Sequence, residues 1–432
     1  MTSRPTGFLG LSHLGIISSI GWASLGSQVV AVDVDGDSVA TLSRGELPIH
    51  EPALHDLFAK TRHRMSFSSD PGALANCRLV VVSRDVPTDP DNHSDASPIF
   101  RLVEAVIPHL HCDATLVIMS QVSPGSTREL AEWVRSRRPE LDLQIYYWVE
   151  TLIFGDAVQR FLKPERIIVG CAEPTAPLSF ELEEGLRRFN CPILPMTYES
   201  AELTKTAINL YLCAAVTYAN TLSDLCEALG ADWTEMMPAL RLDRRIGPAA
   251  YIKPGLGIAG GNLERDMVTL QNLCGTNGVD GSFIETLLDH NARRFQWVRR
   301  QLEVHLLREV GDPVIAVWGL AYKKNTRSTK NSTALRAVRE LRDRAAVRVY
   351  DPVVRTGDID LSLEVAASRD EILTGADCLL VVTDWDEFAV PDAQSLGSMR
   401  RPLIIDAVGI VDDKRADLEG VRLVQMGRPS RA

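Results

Sequence analysis

The sequence predicts an α/β protein with an N-terminal Rossmann-like domain, a long central helix and a second, C-terminal Rossmann-like α/β domain. Short apolar runs alternate with helix-length polar segments through about the first 195 residues, which is typical of a parallel sheet covered by helices. A thirty-residue stretch then has helical periodicity, and the alternation returns after residue 312. We place the domain boundaries at residues 1–199, 200–300 and 301–432.

Composition and charge exclude several classes of partner. The chain has 432 residues, 46 Lys and Arg against 57 Asp and Glu, and a net charge of −11, with no basic block to bind a nucleic acid or an anionic membrane. No apolar run reaches the ~18 residues that a membrane span needs. The eight cysteines form no CxxC pair, so we expect reduced thiols, a cytoplasmic protein, and neither a metal site nor a disulfide framework.

The N-terminal segment predicts a β-α-β unit. An apolar run from Gly7 to Leu9 is followed by a turn with glycines, a helical stretch from Leu14 to Gly26, and a second apolar run that ends at Asp33. Residues 7–32 also resemble a secretion signal, because Arg4 precedes an apolar run. The glycines and the terminal acid favour a nucleotide-binding unit instead.

The turn between the first strand and the helix carries the candidate phosphate-binding residues. From Gly10 to Gly15 it has the frame G-x-G-x-x-G, except that Ser12 replaces the middle glycine. Gly10 permits a tight turn, Gly15 lets the helix pack closely on the strand, and the helix N-terminus offers backbone N–H groups to a pyrophosphate. We therefore expect dinucleotide contacts here, including Ser12, His13 and Leu14; a purely structural turn is the alternative.

Asp33 predicts which dinucleotide is bound. It lies 18 residues after Gly15, at the end of the second strand, where a carboxylate accepts hydrogen bonds from a ribose diol. The same carboxylate would repel a 2′-phosphate. The sequence therefore predicts NAD rather than NADP as the cofactor.

The next apolar runs complete the first domain. They are, in order, Leu79–Val82, Thr115–Met119, Leu143–Trp148 and Arg166–Val169. From Ser200 to Leu229 the apolar residues recur at intervals of three and four, which is typical of an amphipathic helix, and Gly230 is placed to end it. Thirty residues of helix span about 45 Å, more than one small domain covers, so we expect this helix to form a homodimer interface.

The remaining sequence predicts the second α/β domain. A helical region at residues 281–309 precedes four further strand-like runs, which are Pro313–Gly319, Val347–Tyr350, Cys378–Thr383 and Pro402–Ile405. The segments between these runs are long enough to hold crossover helices.

Ordered sequence blocks resemble one enzyme family over essentially the whole chain. Residues Gly45 to Leu54 read G-E-L-P-I-H-E-P-A-L and are similar to the G-x-x-P-I-x-E-P-x-L signature of UDP-glucose/GDP-mannose dehydrogenases. Further matching blocks are Lys163–Gly170, Glu202–Asn209, Arg245–Gly247, Gly257–Gly261 and Gly319–Lys323. The resemblance implies an NAD-binding domain in residues 1–199, a helical dimerisation region in 200–300 and a substrate-binding domain in 301–432. We expect the NAD to be tightly bound.

The resemblance also implies a covalent mechanism that this chain cannot follow. Members of the family convert a sugar primary alcohol to a carboxylate in two NAD-dependent hydride transfers, through a thiohemiacetal and a thioester on a cysteine. Their segment G-F-G-G-S-C-F-P-K-D corresponds to Gly257–Asp266, in which Asn262 takes the place of the cysteine. An amide nitrogen is not a nucleophile at neutral pH, so the usual four-electron route is closed. Cys274 could replace the thiol only with a different local fold.

The residues that handle protons in the family are kept. Lys205 and Asn209 match its lysine and asparagine, and their spacing of four places both on one face of the long helix, toward one cleft. Asp266 matches the aspartate after the cysteine, and Glu150 matches the first acid of the motif N-P-E-F-L-x-E-G. We expect these four residues, together with Asn262, at the catalytic site. Taken alone, Lys205 and Asn209 could also form an ordinary solvated helix face.

The residues that activate water in the family are lost. Phe154 replaces the second acid of that motif, and Gln121 replaces a threonine that helps to position water. We assign Gln121 to the substrate and the preceding Ser120 to the cofactor. Lys330 is also assigned to the cofactor, because Thr326–Lys330 stands in place of a T-D-D-x-R block near it.

Substrate recognition departs from the family pattern as well. The remaining residues that we assign to the substrate are Arg245, Tyr251, Lys253, Gly257 and Lys323. Arg245 is expected to reach the site of a neighbouring subunit. Val408 replaces an arginine of the family's D-G-R-N block that grips the nucleotide. A lost cation predicts a ligand with less phosphate, which makes a nucleoside an alternative to a nucleotide sugar.

Three functions stay open at this point. The favoured one is transient oxidation of a sugar carbinol by NAD, followed by elimination or epimerisation and return of the hydride, which needs acid and base groups but no thiol. The second is a net two-electron dehydrogenase that stops at an aldehyde or ketone. The third is a catalytically silent binding homologue.

Overall fold

The computed structural model describes residues 4–89, 93–361 and 363–429. The chain divides into two compact units, Met1–Ile208 and Asn209–Ala432. Each unit contains a largely or wholly parallel sheet and several helices, so the predicted fold class is confirmed. The division into three domains stays a prediction.

The first unit is built on a single mixed sheet. Its strands are β1 (Thr6–Leu9), β2 (Val29–Val32), β3 (Met65–Ser68), β4 (Leu79–Val82), β5 (Thr115–Ile118), β6 (Gln144–Trp148), β7 (Ile167–Cys171) and β8 (Ile193–Thr197). They lie in the order β3-β2-β1-β4-β5-β6-β7-β8, and all neighbours are parallel except β6 and β7. The helices are α1 (His13–Ser24), α2 (Gly36–Ser43), α3 (Leu54–Thr61), α4 (Ser97–Val106), α5 (Ser126–Arg137), α6 (Ala157–Leu162), α7 (Phe180–Arg187) and the start of α8 (Tyr198–Leu229).

Burial explains the order of the strands. Every residue of β1, β4 and β5 is buried, as expected for central strands covered on both faces. β3 and β8 lie at the two edges and are partly exposed, and β8 contains Pro195, which has no N–H to donate to a neighbouring strand. The predicted runs agree with β4 to β7, whereas the sequence pattern does not predict β3 or β8.

The second unit contains a smaller, all-parallel sheet. Its strands are β9 (Val314–Trp318), β10 (Ala346–Tyr350), β11 (Cys378–Val381), β12 (Leu403–Asp406) and β13 (Arg422–Gln425), in the order β10-β9-β11-β12-β13. Besides the rest of α8, the helices are α9 (Trp233–Leu242), α10 (Asn262–Thr276), α11 (Ser282–Arg294), α12 (Gln296–Leu302), α13 (Thr333–Leu341) and α14 (Ala393–Gly397). The predicted helical region at 281–309 corresponds to α11, α12 and a π-helical turn, Glu303–Leu307.

One face of α8 carries exposed apolar side chains. Tyr211 is 62% exposed, Tyr218 44% and Leu225 48%, and the intervals of seven residues place all three on the same face of the helix. Large apolar side chains exposed along one face of a helix are typical of a protein interface. Among the residues that the structure describes, no helix, α8 included, is long and apolar enough to cross a bilayer.

Asp351 holds together the loops that follow β9 and β10. The residue comes directly after β10 and is completely buried. Its carboxylate accepts four backbone hydrogen bonds of 2.7–3.0 Å, from the N–H groups of Leu320, Ala321, Val353 and Val354. It also accepts a hydrogen bond of 3.2 Å from the indole nitrogen of Trp385.

We expect Asp351→Asn to lower the free energy of unfolding by about 3 kcal/mol, because an amide NH₂ would face backbone N–H groups that then have no acceptor. Urea unfolding followed by circular dichroism measures this change. Asp360→Asn, at an exposed position nearby, is the matched control and should leave stability almost unchanged. Equal unfolding midpoints for the two variants would contradict this role of Asp351.

Candidate functional site

The turn between β1 and α1 requires its two outer glycines. Gly10 has a φ of +95°, a conformation that side chains disfavour. A Cβ placed on Gly15 would lie 1.8 Å from the carbonyl oxygen of Gly10, so only glycine permits this contact between helix and turn. Both features agree with the tight turn and the close helix packing that the sequence predicts, and the contact of these residues with a dinucleotide stays a prediction.

Asp33 lies at the end of β2 and is 2% exposed. Its carboxylate accepts hydrogen bonds from the backbone N–H of Leu11 at 2.5 Å and of Asp35 at 2.9 Å. The guanidinium of Arg84 is 3.2 Å from the same carboxylate. The acid that the sequence assigns to the ribose therefore also fixes the glycine turn and pairs with a cation.

Asp85 contacts the N-terminus of α1. Its backbone N–H donates to the hydroxyl oxygen of Ser12 at 2.7 Å, and its carboxylate accepts from the backbone N–H of Leu14 at 3.1 Å. The glycines and Asp33 fit a bound NAD, but this carboxylate occupies an N–H group that a pyrophosphate would use. Sequence reasoning missed Arg84 and Asp85, although two charged residues just after the apolar run at 79–82 are a usable signal.

His13 connects the turn to the family-like block at residues 45–54. Its Nε2 lies 2.8 Å from a carboxylate oxygen of Glu51, which is 5% exposed. Glu51 also accepts hydrogen bonds from the backbone N–H groups of Gly155 at 2.9 Å and Ala157 at 3.4 Å. The ring of Phe154 packs against the imidazole, with the two ring centroids 4.2 Å apart. Glu51 therefore fixes the loop before α6 beside the start of α1.

Ser120 and Gln121 follow β5. Ser120 is completely buried, and its hydroxyl donates a 3.4 Å hydrogen bond to the carbonyl oxygen of Val82. Gln121 is partly exposed. The roles assigned to these two residues stay predictions.

A buried ion pair joins Lys205 and Glu150 in the first unit. The Lys205 Nζ lies 2.7 Å from Oε1 of Glu150, and the two side chains are 8% and 11% exposed. The second carboxylate oxygen accepts a hydrogen bond from the backbone N–H of Leu152 at 2.8 Å. Two residues that the sequence assigns to catalysis are thus in direct contact and shielded from water.

A second polar cluster surrounds Asp266 in the other unit. Asn209, four residues beyond Lys205 on α8, donates from Nδ2 to Oδ2 of Asp266 at 2.5 Å. Arg265 Nε donates to the other carboxylate oxygen at 3.1 Å. Asp266 is 1% exposed. Asn209 and Asp266 therefore lie in one hydrogen-bond network within this unit, and their roles in catalysis stay predictions.

Asn262 is the first residue of α10, directly after the turn at Gly257–Gly261. Cys274 lies on the same helix, twelve residues and hence ~18 Å further along its axis. Cys213 is 1% exposed, and burial together with the negative charges of Asp266 and Glu264 raises its pKa to about 12. Cys274 is therefore too far along the helix to act at Asn262. The Cys213 thiol, with its raised pKa, supplies no thiolate at neutral pH.

Polar and aromatic side chains hold the turn before Asn262. Asn291 accepts a 2.7 Å hydrogen bond from the N–H of Ile258, and a Cβ on Gly257, whose φ is +96°, would lie 2.1 Å from the same oxygen. A Cβ on Gly260 would lie 2.9 Å from the ring of Tyr322. A Cβ on Gly261 would lie 3.2 Å from the side chain of Lys330. Lys330 therefore lies next to the turn.

Glu264 lies two residues after Asn262 and has a perturbed acidity. Asn291 and Asn331 donate hydrogen bonds to its two carboxylate oxygens, at 3.0 and 2.5 Å. Burial raises the pKa of this carboxyl above its ordinary value, which outweighs the opposite effect of the two amides. Sequence reasoning did not select Glu264.

The other residues assigned to the substrate lie at more exposed positions of the second unit. The Arg245 side chain is 88% exposed and pairs with Asp243 at 2.7 Å. Lys253 lies 3.4 Å from Asp384, and Tyr251 is 55% exposed. The Nζ of Lys323 lies over the ring of Tyr322, 5.6 Å from the ring centroid. Their assignment to substrate binding stays a prediction.

Models of one protein family match three successive parts of the chain. Residues 6–184 match the NAD binding domain of the UDP-glucose/GDP-mannose dehydrogenase family, residues 199–293 its central domain and residues 316–413 its UDP binding domain. These matches cover the glycine turn, both polar clusters and the second sheet as far as β12.

Individual relatives match over nearly the full length. The chain is 28% identical to the UDP-glucose 6-dehydrogenase of Rhizobium meliloti, over 98% of this chain and 99% of that protein. It is 31% identical to the UDP-glucose 6-dehydrogenase of Haloferax volcanii, over 93% and 96%. The structure of a UDP-D-ManNAc dehydrogenase from Pyrococcus horikoshii has the same fold, with a TM-score of 0.85, 24% identity and coverage of 98% and 99%.

We expect the folded protein to bind a proton at Glu264 more tightly than the unfolded chain does, because its pKa is raised above 4.5 on folding. The stability that Glu264 contributes should therefore fall as the pH rises from 4.5 through the raised pKa. Urea midpoints measured across this range should decline less in Glu264→Gln than in the natural protein. Glu285→Gln, at an exposed position of α11, is the control; parallel profiles for all three proteins would refute the assignment.

Proposed function

The chain belongs to the UDP-glucose/GDP-mannose dehydrogenase family, and we propose that it oxidises a nucleotide sugar only transiently and forms no acid. The oxidised sugar would undergo elimination or epimerisation and then be reduced again, so that the overall reaction is redox-neutral. In this proposal residues 1–199 bind NAD, and residues 301–432 bind the nucleotide or nucleoside part of the substrate.

Asn262 is the observation that carries the proposal. It is the first residue of α10, at the position where the resemblance to the family motif would place the cysteine, and its amide cannot form a thiohemiacetal or a thioester. The burial of Cys213 and the distance along α10 to Cys274 argue against a substitute thiol. Oxidation would therefore stop at the carbonyl, which acidifies the neighbouring C–H and so prepares an elimination or an inversion.

Lys205 and Glu150 would handle the proton of the substrate hydroxyl. The Lys205 ammonium can stabilise the oxygen as it loses its proton, and the Glu150 carboxylate, 2.7 Å away, can accept that proton. Because both side chains are nearly excluded from water, the charge on Lys205 acts over a short range with little screening.

Asn209 and Asp266 would orient the sugar. Asp266 accepts a hydrogen bond from the Nδ2 of Asn209 and so fixes the orientation of that amide, whose oxygen can accept a hydrogen bond from a sugar hydroxyl. Phe154 and Gln121, where the family has water-positioning groups, agree with a reaction that needs no hydrolysis. Val408 in place of an arginine favours a ligand with less phosphate.

The cofactor-binding residues fit NAD in most respects. NAD, when bound, supplies the acceptor for the hydride. Gly10 and Gly15 would allow the backbone to approach the pyrophosphate, and Asp33 would accept hydrogen bonds from a ribose diol. Ser120 and Lys330 are proposed as further contacts.

A net two-electron dehydrogenase is the second candidate. The full-length similarity to two UDP-glucose 6-dehydrogenases favours it, since those proteins are named for a net oxidation. The product would then be an aldehyde or a ketone, and NADH would be released.

Isotope labelling distinguishes the two candidates. A panel of UDP- and GDP-hexoses, deuterated throughout the sugar, is incubated with the protein and NAD, and the products are examined by mass spectrometry. We expect a dehydrated or epimerised product that retains deuterium at the oxidised carbon, with no accumulation of NADH. Stoichiometric deuterated NADH would instead support the net dehydrogenase, and a carboxylate product would refute the inference from Asn262.

In the same assay, Lys205→Ala should lower turnover by ~10²-fold or more, the scale typical of an acid or base group. Its fold and NAD affinity should stay nearly unchanged, as checked by circular dichroism and calorimetry. Lys60→Ala, at an exposed position of α3, is the control. Full activity of Lys205→Ala would exclude this residue from catalysis.

We also propose that the chain forms a homodimer through the exposed apolar face of α8. Tyr211, Tyr218 and Leu225 would be covered by the same face of a second copy. Sedimentation velocity at micromolar concentration should show a dimer that Tyr211→Glu and Leu225→Glu weaken, whereas Phe180→Glu, at another exposed apolar position, should not. A stable monomer of the natural protein would refute the proposal.

A further inference from the structure

Arg84 and Asp85, which follow β4, contact the two parts of the predicted dinucleotide site: Asp33 and the N-terminus of α1. From this we infer that Asp85 competes internally with the pyrophosphate of NAD for the N-terminus of α1, and that Arg84 holds it there. The inference rests on the proposed function only in assuming that this turn binds NAD.

The contact of Asp85 lies where a phosphate would bind. The carboxylate accepts a 3.1 Å hydrogen bond from the N–H of Leu14, the second residue of α1, which has no acceptor within the helix. The first turn of α1 contains no acidic residue, and Ser12 makes no side-chain capping bond to it. Asp85 thus supplies a negative charge to a helix end that attracts anions.

Arg84 and the backbone keep this segment against the turn. The guanidinium of Arg84 contacts Asp33 at 3.2 Å, and the N–H of Asp85 donates to Ser12 at 2.7 Å. A Cβ on Gly10 would lie 2.6 Å from the Cβ of Arg84, so the segment and the turn are in close contact. Arg84 thus pairs with Asp33, the acid predicted to bind the ribose. Asp85 binds the N–H of Leu14, which is predicted to bind a phosphate.

The charges decide the direction of the effect. A carboxylate and a pyrophosphate are both anions and would use the same N–H group. The Asp85 side chain must therefore turn away when NAD binds, and its negative charge still repels the pyrophosphate. Asp85 is exposed, so its carboxylate can turn into water without unfolding the loop. Asp85 therefore lowers the affinity for NAD without closing the site.

Isothermal titration with NAD, ADP-ribose and adenosine tests the inference. Asp85→Asn should bind NAD and ADP-ribose about tenfold more tightly than the natural protein, because both ligands carry the pyrophosphate. Adenosine, which lacks it, should bind the two proteins equally. Asp142→Asn, which removes the same charge at an exposed position before β6, is the control and should match the natural protein.

Asp85→Gly, which removes the whole side chain, is the second variant and should show the same gain. Equal or weaker NAD binding by both Asp85 variants would overturn the inference while leaving the proposed function intact. If the natural protein and both variants fail to bind NAD, the inference and the proposed function fall together. An equal gain in Asp142→Asn would show a general charge effect and would also overturn the inference.

Discussion

In each unit a buried acid directly after a parallel strand holds the loop that follows the neighbouring strand. Asp33 accepts the N–H of Leu11 in the first unit, and Asp351 accepts the N–H groups of Leu320 and Ala321 in the second. Neither a buried carboxylate nor a buried N–H is stable without a partner, so the acid and the turn require each other. In the first unit, the start of α1 and its contact with Asp85 depend on this arrangement.

The buried ion pairs of the two polar clusters add little net stability to the fold. The Lys205–Glu150 and Arg265–Asp266 pairs are almost excluded from water, where the cost of desolvation cancels most of the attraction between opposite charges. Apolar side chains of similar volume would stabilise the same helices equally well or better. Stability alone therefore does not account for the two pairs, and the catalytic roles proposed for Lys205, Glu150 and Asp266 stay predictions.

Buried strands are better predicted by the sequence than most edge strands. β4 and β5 are continuous buried and mainly aliphatic runs, whereas the edge strands β3, β8 and β13 are partly exposed and escape prediction; the edge strand β10 is the exception, because Val347–Tyr350 is predicted. Glu150 and Asp266 are candidates from the sequence because they match residues of family motifs, and their roles stay predictions. Arg84 and Asp85 follow an apolar run and Glu264 lies within a family-like segment, but their contacts join segments distant in sequence, so the folded chain is needed to show what each of them touches.

The burial of most cysteines has a practical consequence for handling the protein. Cys112, on the turn before β5, is exposed, Cys191 and Cys274 are partly exposed, and the other five thiols are buried. Strands β1 and β5 are parallel neighbours of β4, so Cys112 lies near the amino end of the sheet while the glycine turn lies at its carboxyl end. A maleimide dye will therefore attach first at Cys112, which gives the chain a built-in handle for fluorescence at the end of the first sheet opposite the glycine turn.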